Sequence, residues 1–465
     1  MTFVRRDIWT LDPEDPIVEW YREGVGIMKG RKIDVALSWE YQAAIHGIPS
    51  GQRPLWNHCQ HAQWFFLPWH RMYVLRFEAI VRAAIESVGG PSDWALPYWN
   101  YGLGGKNATL PIPFREPQAN GKPNPLYVAA RQEGLNEGRF KLPARATSAK
   151  KALERPHFIG AAEFGGGEHL PSHQRAGLTG RIEETPHNDV HVEVGGANGW
   201  MSFPETAAKD PIFWLHHTNI DRLWDLWNQT RGHADPKAEP WTGQEFKLFD
   251  IKGNQVGLQC GHVEKIQRLG YEYDSQAPRE HVPAAVEAAA APAPEEGDVI
   301  DKPHMVGATE KPITLVGEPV EAEIPIDAKE AGELAAGQHV YLNSEDIEGE
   351  RNPGTVYAVY VALPPEASPE VAAAHHVGNL SFFGIERNDD PAGDENPHGF
   401  RLAVDITAIA QELAGRGEWA GHSLPVSIEP LTLEALEPED QGAAPSPAHP
   451  DLPITIGRIS VFYDA

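Results

Sequence analysis

Cysteine is nearly absent, with two in 465 residues. That excludes a disulfide-scaffolded fold. Cys59 and Cys260 offer a single pairing, which nothing in their surroundings supports. Positive charge is also scarce. Lys and Arg number 39 against 66 Asp and Glu, for a formal net charge of −27. Such a surface disfavours nucleic acid and anionic membranes as partners and favours solubility. Long apolar runs are missing, so no stretch is expected to span a bilayer. The opening Met1–Asp7 has no apolar run after its arginines; no secretory signal is expected, and the chain reads as cytoplasmic. No internal repeat is visible.

Aromatic residues and histidine fill the space left. There are 14 tryptophans, most of them before residue 245. Two segments set histidine among large apolar side chains: Trp56-Asn57-His58-Cys59-Gln60-His61-Ala62-Gln63-Trp64-Phe65-Phe66-Leu67-Pro68-Trp69-His70-Arg71, and Asp210-Pro211-Ile212-Phe213-Trp214-Leu215-His216-His217. His187-Asn188-Asp189-Val190-His191 lies between them. A buried imidazole without a partner is costly, and a metal removes that cost. A set rich in imidazole and lacking thiolates favours copper, zinc, iron or nickel over calcium or magnesium.

Helical spacing groups these residues. His187 and His191 fall on one face, one turn apart; a plain surface pair is the competing reading. Asp210 is a good N-cap and Pro211 suits the first helical position. The helix they open runs to about Thr230, with Phe213, His217, Ile220 and Trp224 on one stripe. His216 points about 100° away from His217 and is not expected at the same ion. Pro68 opens another helix, placing His70 in its first turn, and His61 precedes it. His46 ends the segment Ile33 to Ile45, where Leu37, Tyr41 and Ile45 recur at helical spacing.

The segments His61 to Phe77-Glu78 and Asp210 to Asp221-Arg222 resemble the two copper-binding signatures of the tyrosinase, catechol oxidase and molluscan hemocyanin superfamily. The resemblance covers roughly residues 1–270. It implies an antiparallel four-helix bundle with two copper ions. Copper A would be held by His46, His61 and His70, and copper B by His187, His191 and His217. It further implies dioxygen as co-substrate, a phenolic small molecule as substrate, and oxidation to ortho-quinones. A copper-delivery partner is compatible with this reading, and the oligomeric state is not fixed by it.

The same resemblance assigns further roles. Cys59, two residues before His61, would carry a thioether bond to that histidine, as in fungal tyrosinases and molluscan hemocyanins; an inert buried thiol is the alternative. Glu183 and Asn188 would hold a water that deprotonates monophenols, or else Glu183 pairs within the bundle. Val192 offers a substrate no charge. Met201 and Phe203 are candidates for a gate side chain over copper A, or for ordinary wall packing.

Length and composition suit two or three domains. Residues 1–275 form the expected catalytic domain. Residues 276–312, rich in Ala, Pro and Glu, read as a linker. Residues 313–465 carry short β-rich runs that suggest a sandwich: Ile313–Val316, Val340–Leu342, Val356–Leu363, Leu380–Phe383, Phe400–Val404, Leu424–Ile428 and Ile454–Tyr463. A loop is expected over 436–450. The fold class is therefore mainly α, a four-helix-bundle dicopper domain followed by a β-sandwich-like domain. The tail resembles the C-terminal domain of latent plant polyphenol oxidases, implying a shield over the copper site; exposed strand-connecting loops around Phe382 and Phe383 are expected to supply an aromatic plug. A stability or assembly module is the alternative. The main reading is a phenol oxidase that hydroxylates monophenols and/or oxidises ortho-diphenols. The alternatives are a strict catechol oxidase or an ortho-aminophenol oxidase, with a dioxygen carrier disfavoured because carriers are large secreted assemblies. A dizinc hydrolase would need a bridging carboxylate, and none stands near the histidines.

Overall fold

A computed structural model describes residues 2–160, 162–173, 177–274, 304–331, 334, 338–385, 400–437, 440 and 442–463. Most of the expected linker, 275–303, lies outside the described residues. The chain divides into two units, Met1–Val282 with Thr432–Pro445, and Pro283–Leu431 with Ser446–Ala465.

The first unit is helical. Helix α1 (Pro16–Lys29) opens on Asp15, whose carboxylate accepts the Ile17 N–H at 2.8 Å, with proline in the first helical position. Helix α2 spans Trp39–His46 and starts at Ser38, whose hydroxyl accepts the Tyr41 N–H at 3.2 Å. It therefore begins six residues later than the apolar spacing suggests. The stretch before it turns back on itself, with the Arg31 guanidinium donating to the Leu37 carbonyl at 2.7 Å, and Ile33 is 39% exposed. Helix α3 is Phe66–Glu86. Pro68 is its third residue rather than its first, which is tolerated because first-turn N–H groups have no acceptor inside the helix. His70 consequently sits in the second turn. Helix α4 (Asp189–Gly195) follows an irregular turn, Glu183–Asn188, that contains Pro186. Helix α5 is Pro211–Asn228, capped as expected by Asp210, whose carboxylate accepts the Ile212 N–H at 3.1 Å. The same carboxylate takes Arg131 in a fork, at 2.8 and 2.7 Å.

Aromatic packing and buried charge bind α2, α3 and α5. Phe77 stacks on Trp214 with ring centres 3.4 Å apart, and Trp39 meets both edge-on. Burying such side chains removes on the order of 150–250 Å² each from water, roughly 4–6 kcal/mol apiece before entropy is counted. Below the aromatic layer lies Asp221, four residues after His217. It accepts from Arg5 at 3.0 Å, from the Tyr271 hydroxyl at 2.6 Å, and from Arg71 and the Tyr273 hydroxyl. Arg5 also donates to Glu78 of α3 at 2.8 Å. The strand Phe3–Arg5 runs parallel to Tyr271–Tyr273, so both ends of the catalytic segment are tied to the helices through this network.

The second unit is built from two antiparallel sheets. One has the order Val320–Pro325, Ser423–Pro430, Tyr357–Val361, His376–Leu380; the other has Phe400–Asp405, Val340–Glu348, Ile454–Tyr463, His304–Ala308, with Ile313–Leu315 also on Ile454–Tyr463. Inward residues alternate along the strands, as in Val340 and Leu342, and both sheets contribute to one apolar core. Four details depart from the sequence reading. His304–Ala308, inside the expected linker, is a strand. The strand expected at Leu380–Phe383 ends at Leu380. Phe382 and Phe383 are fully buried, Phe382 in this core against Tyr357, so neither stands on an exposed loop. The loop expected over 436–450 is divided, its part up to Pro445 belonging with the first unit: Glu434–Ala435 pairs with Phe140–Lys141, and Lys141 meets Glu434 at 2.9 Å. Among the described residues no helix is long and apolar enough to cross a membrane.

Candidate metal centre

Seven buried imidazoles converge in the helical unit. His46 ends α2, His61 lies on the approach to α3, and His70 lies on α3. His187 precedes α4, His191 lies on it, and His216 and His217 lie on α5. Ring centres are 5.2 Å apart for His46–His61, 5.7 Å for His46–His70 and 5.1 Å for His61–His70. The second set gives 4.6 Å for His187–His191, 4.9 Å for His187–His217 and 5.5 Å for His191–His217. His70 stacks on His217 at 4.6 Å, joining the two sets. Phe213, one turn before His217, packs on His46, His191 and His217.

Four of the rings are held by their outer nitrogen. Nδ1 of His46 faces the Pro204 carbonyl at 2.9 Å, that of His70 the Phe66 carbonyl at 2.8 Å, and that of His191 the Met201 carbonyl at 2.8 Å. Nδ1 of His187 faces the Asn188 side-chain oxygen at 2.9 Å. A carbonyl accepts only from an N–H, so these contacts place the proton on Nδ1 and leave Nε2 unprotonated, the form in which a ring nitrogen can ligate a metal. Burial pushes the pKa of His70 and His191 down to about 3, and those of His187, His216 and His217 well below the ordinary histidine value. These five rings are therefore neutral, the form that ligates. Nε2 of His70 and of His216 is buried without a hydrogen bond. Ligand atoms cluster within 4.8 Å in three groups: His187, His191, His216 and His217; His46, Cys59 and His61; and His46, His70 and His217. No carboxylate enters any of them. Soft, neutral nitrogen donors in two adjoining sets fit a pair of copper ions.

The remaining candidates fall around this centre. Glu183 is fully buried, and both its oxygens take the Ala62 N–H, at 2.8 and 2.9 Å. It thus joins the residue after His61 to the turn carrying His187. Asn188 orients His187 and keeps its side-chain NH2 buried without an acceptor. Cys59 Sγ lies 3.3 Å from Nδ1 of His61 and 3.3 Å from Nδ1 of His173. Val192 and Met201 are fully buried, and Phe203 is half-buried.

Sequence reasoning missed several contributors. The carbonyls of Met201 and Pro204 each hold one histidine, from different sets; backbone acceptors carry no side-chain signature. His216 belongs to the same group as His217, with its ring centre 5.4 Å from that of His187 and 4.8 Å from that of His191.

Such adjoining imidazole-rich sets, on four helices and the segments that lead into them, fit a binuclear copper protein. Residues 36–230 match the family model described as the common central domain of tyrosinase, and residues 302–464 match a domain of unknown function, DUF7868. A tyrosinase of Hahella sp. (strain CCB-MM4) is 31% identical over 98% of both chains. The (+)-larreatricin hydroxylase of Larrea tridentata is 27% identical over 55% of this chain and 46% of its own length. The structure of latent apple tyrosinase superimposes with a TM-score of 0.67 at 20% identity, covering 100% of this chain and 97% of the other. The chain belongs to the tyrosinase family. It is a type-3 copper phenol oxidase, with two copper ions as cofactors and dioxygen as co-substrate.

Proposed function

We propose that the enzyme hydroxylates monophenols as well as oxidising ortho-diphenols to ortho-quinones. In this reading copper A is held by His46, His61 and His70, and copper B by His187, His191 and His217. The coppers, when bound, supply dioxygen activation and the exchange of electrons with the phenol. The protein supplies orientation and a proton acceptor. Pro204, Phe66, Asn188 and Met201 fix the ligand rings, and Phe213 packs against rings of both sets.

The observation that carries the hydroxylating reading is the pair Glu183 and Asn188. A buried carboxylate sits between the two histidine segments, and Asn188, at the end of the same turn, keeps a side-chain donor without an acceptor. Acting through one water, Glu183 can take the phenolic proton, with Asn188 orienting that water. A catechol needs less help with proton removal. Glu183→Gln keeps an oxygen for the Ala62 N–H but loses the base. Monophenol turnover should fall about 10²–10⁴-fold, with catechol turnover and copper content little changed. Equal losses on both substrates, or loss of copper, would make Glu183 a clamp on His61 and favour a strict catechol oxidase. The second unit is proposed to restrict access to this site. The support is a two-part layout shared with a tyrosinase described as latent.

A further inference from the structure

His216 has no part in the assignment above, yet it is placed like a ligand. Its ring centre lies 5.4 Å from His187, 4.8 Å from His191 and 5.1 Å from His217. One ligand atom from each of these four residues falls within 4.8 Å of all the others. Its Nδ1 lies 3.1 Å from the hydroxyl of Tyr101, which is fully buried. With Nδ1–H donating to that hydroxyl, Nε2 presents a lone pair, the same device used by His46, His70, His187 and His191. That Nε2 is buried without a hydrogen bond, an unfavourable state that a metal bond relieves. His217, by contrast, belongs to two groups. It closes on His187 and His191, and equally on His46 and His70.

We propose that His216, oriented by Tyr101, is an auxiliary copper ligand of site B. With His187 and His191 it completes a three-imidazole set for a single bound ion while His217 is turned toward His46 and His70. Site B can then hold copper before site A is filled. The inference rests on the assignment of site B to His187 and His191.

The test titrates copper-free, full-length protein with Cu(I) against a chromogenic Cu(I) chelator. It compares the unmodified protein with His216→Gln, Tyr101→Phe and His187→Ala. X-ray absorption counts imidazole nitrogens on the ion at half an equivalent of copper. His216→Gln should weaken binding of the first ion about ten-fold or more, the range seen when a metal site loses a supporting group, and should remove one imidazole from the count. Tyr101→Phe should weaken it in the same direction by less. If His187→Ala weakens first-ion binding and His216→Gln does not, the proposal is overturned and site B stands. If neither does, the site B assignment falls with it. Should His216→Gln fail to fold by circular dichroism, Tyr101→Phe decides: an affinity equal to that of the unmodified protein overturns the proposal.

Discussion

Replacing Asp221 with alanine should destabilise the helical unit by about 3–5 kcal/mol, because it breaks a buried ion pair by removing one partner. Asp221 is 3% exposed and accepts from two guanidiniums and two tyrosine hydroxyls. Without it, Arg71 keeps only backbone acceptors at Val263 and Glu264, at 3.0 Å each, and at residue 221 itself. Arg5 keeps Glu78. At roughly 2 °C per kcal/mol for a unit of this size, the melting point should drop by about 6–10 °C. Calorimetry would measure this, with near-ultraviolet circular dichroism reporting on the tryptophan layer. The sign of the pH dependence also follows. Burial alone would raise the Asp221 pKa, but Arg71, Arg5 and the two hydroxyls hold it below the usual carboxylate value. Its contribution is therefore complete above the unfolded value of about 3.9 and is lost as pH falls through the lowered folded value. The gap between the native protein and Asp221→Asn should stay level from about pH 5 to 8 and narrow below about pH 4. A melting point within about 1 °C of native for Asp221→Ala, or a gap that narrows as pH rises, would refute the reasoning.

Three further outcomes follow from the geometry. If Cys59 is joined to His61, it will resist alkylation after denaturation and its peptide will be lighter by two hydrogen atoms; full alkylation in copper-loaded protein would reject the bond. Asn188→Ala releases the His187 ring and should weaken copper at site B about 10–100-fold in a chelator competition, and an unchanged affinity would remove its orienting role. Cutting the chain only between 276 and 303 should leave catechol oxidation low. Residues 432–445 would still be anchored by the pairing of Glu434–Ala435 with Phe140–Lys141, so a several-fold rise should require displacing that segment as well. A full rise on linker cleavage alone would contradict this.

The readable parts of the chain were those where side-chain type alone decides the outcome. Asp210-Pro211 marks a helix start because a carboxylate satisfies end N–H groups and proline lacks one. The β-rich tail was legible from alternating burial, as in Val340 and Leu342. Other features depend on partners distant in sequence. The start of α2 was set by Ser38 and by a turn that Arg31 closes, not by the periodicity of Ile33 onward. Phe382 was legible as aromatic but not as core, since its partner Tyr357 lies on another strand. His216 was set aside on helix angle alone, which says nothing of where the rings of His187 and His191 lie.

The central claim is that two imidazole sets each hold one copper. Its most direct test is copper per chain, by mass spectrometry on purified protein, in the native chain and in His70→Ala and His191→Ala. The native chain should carry close to two coppers, and each variant should carry one or fewer with phenol oxidation abolished. Two coppers and undiminished oxidation in either variant would contradict the claim.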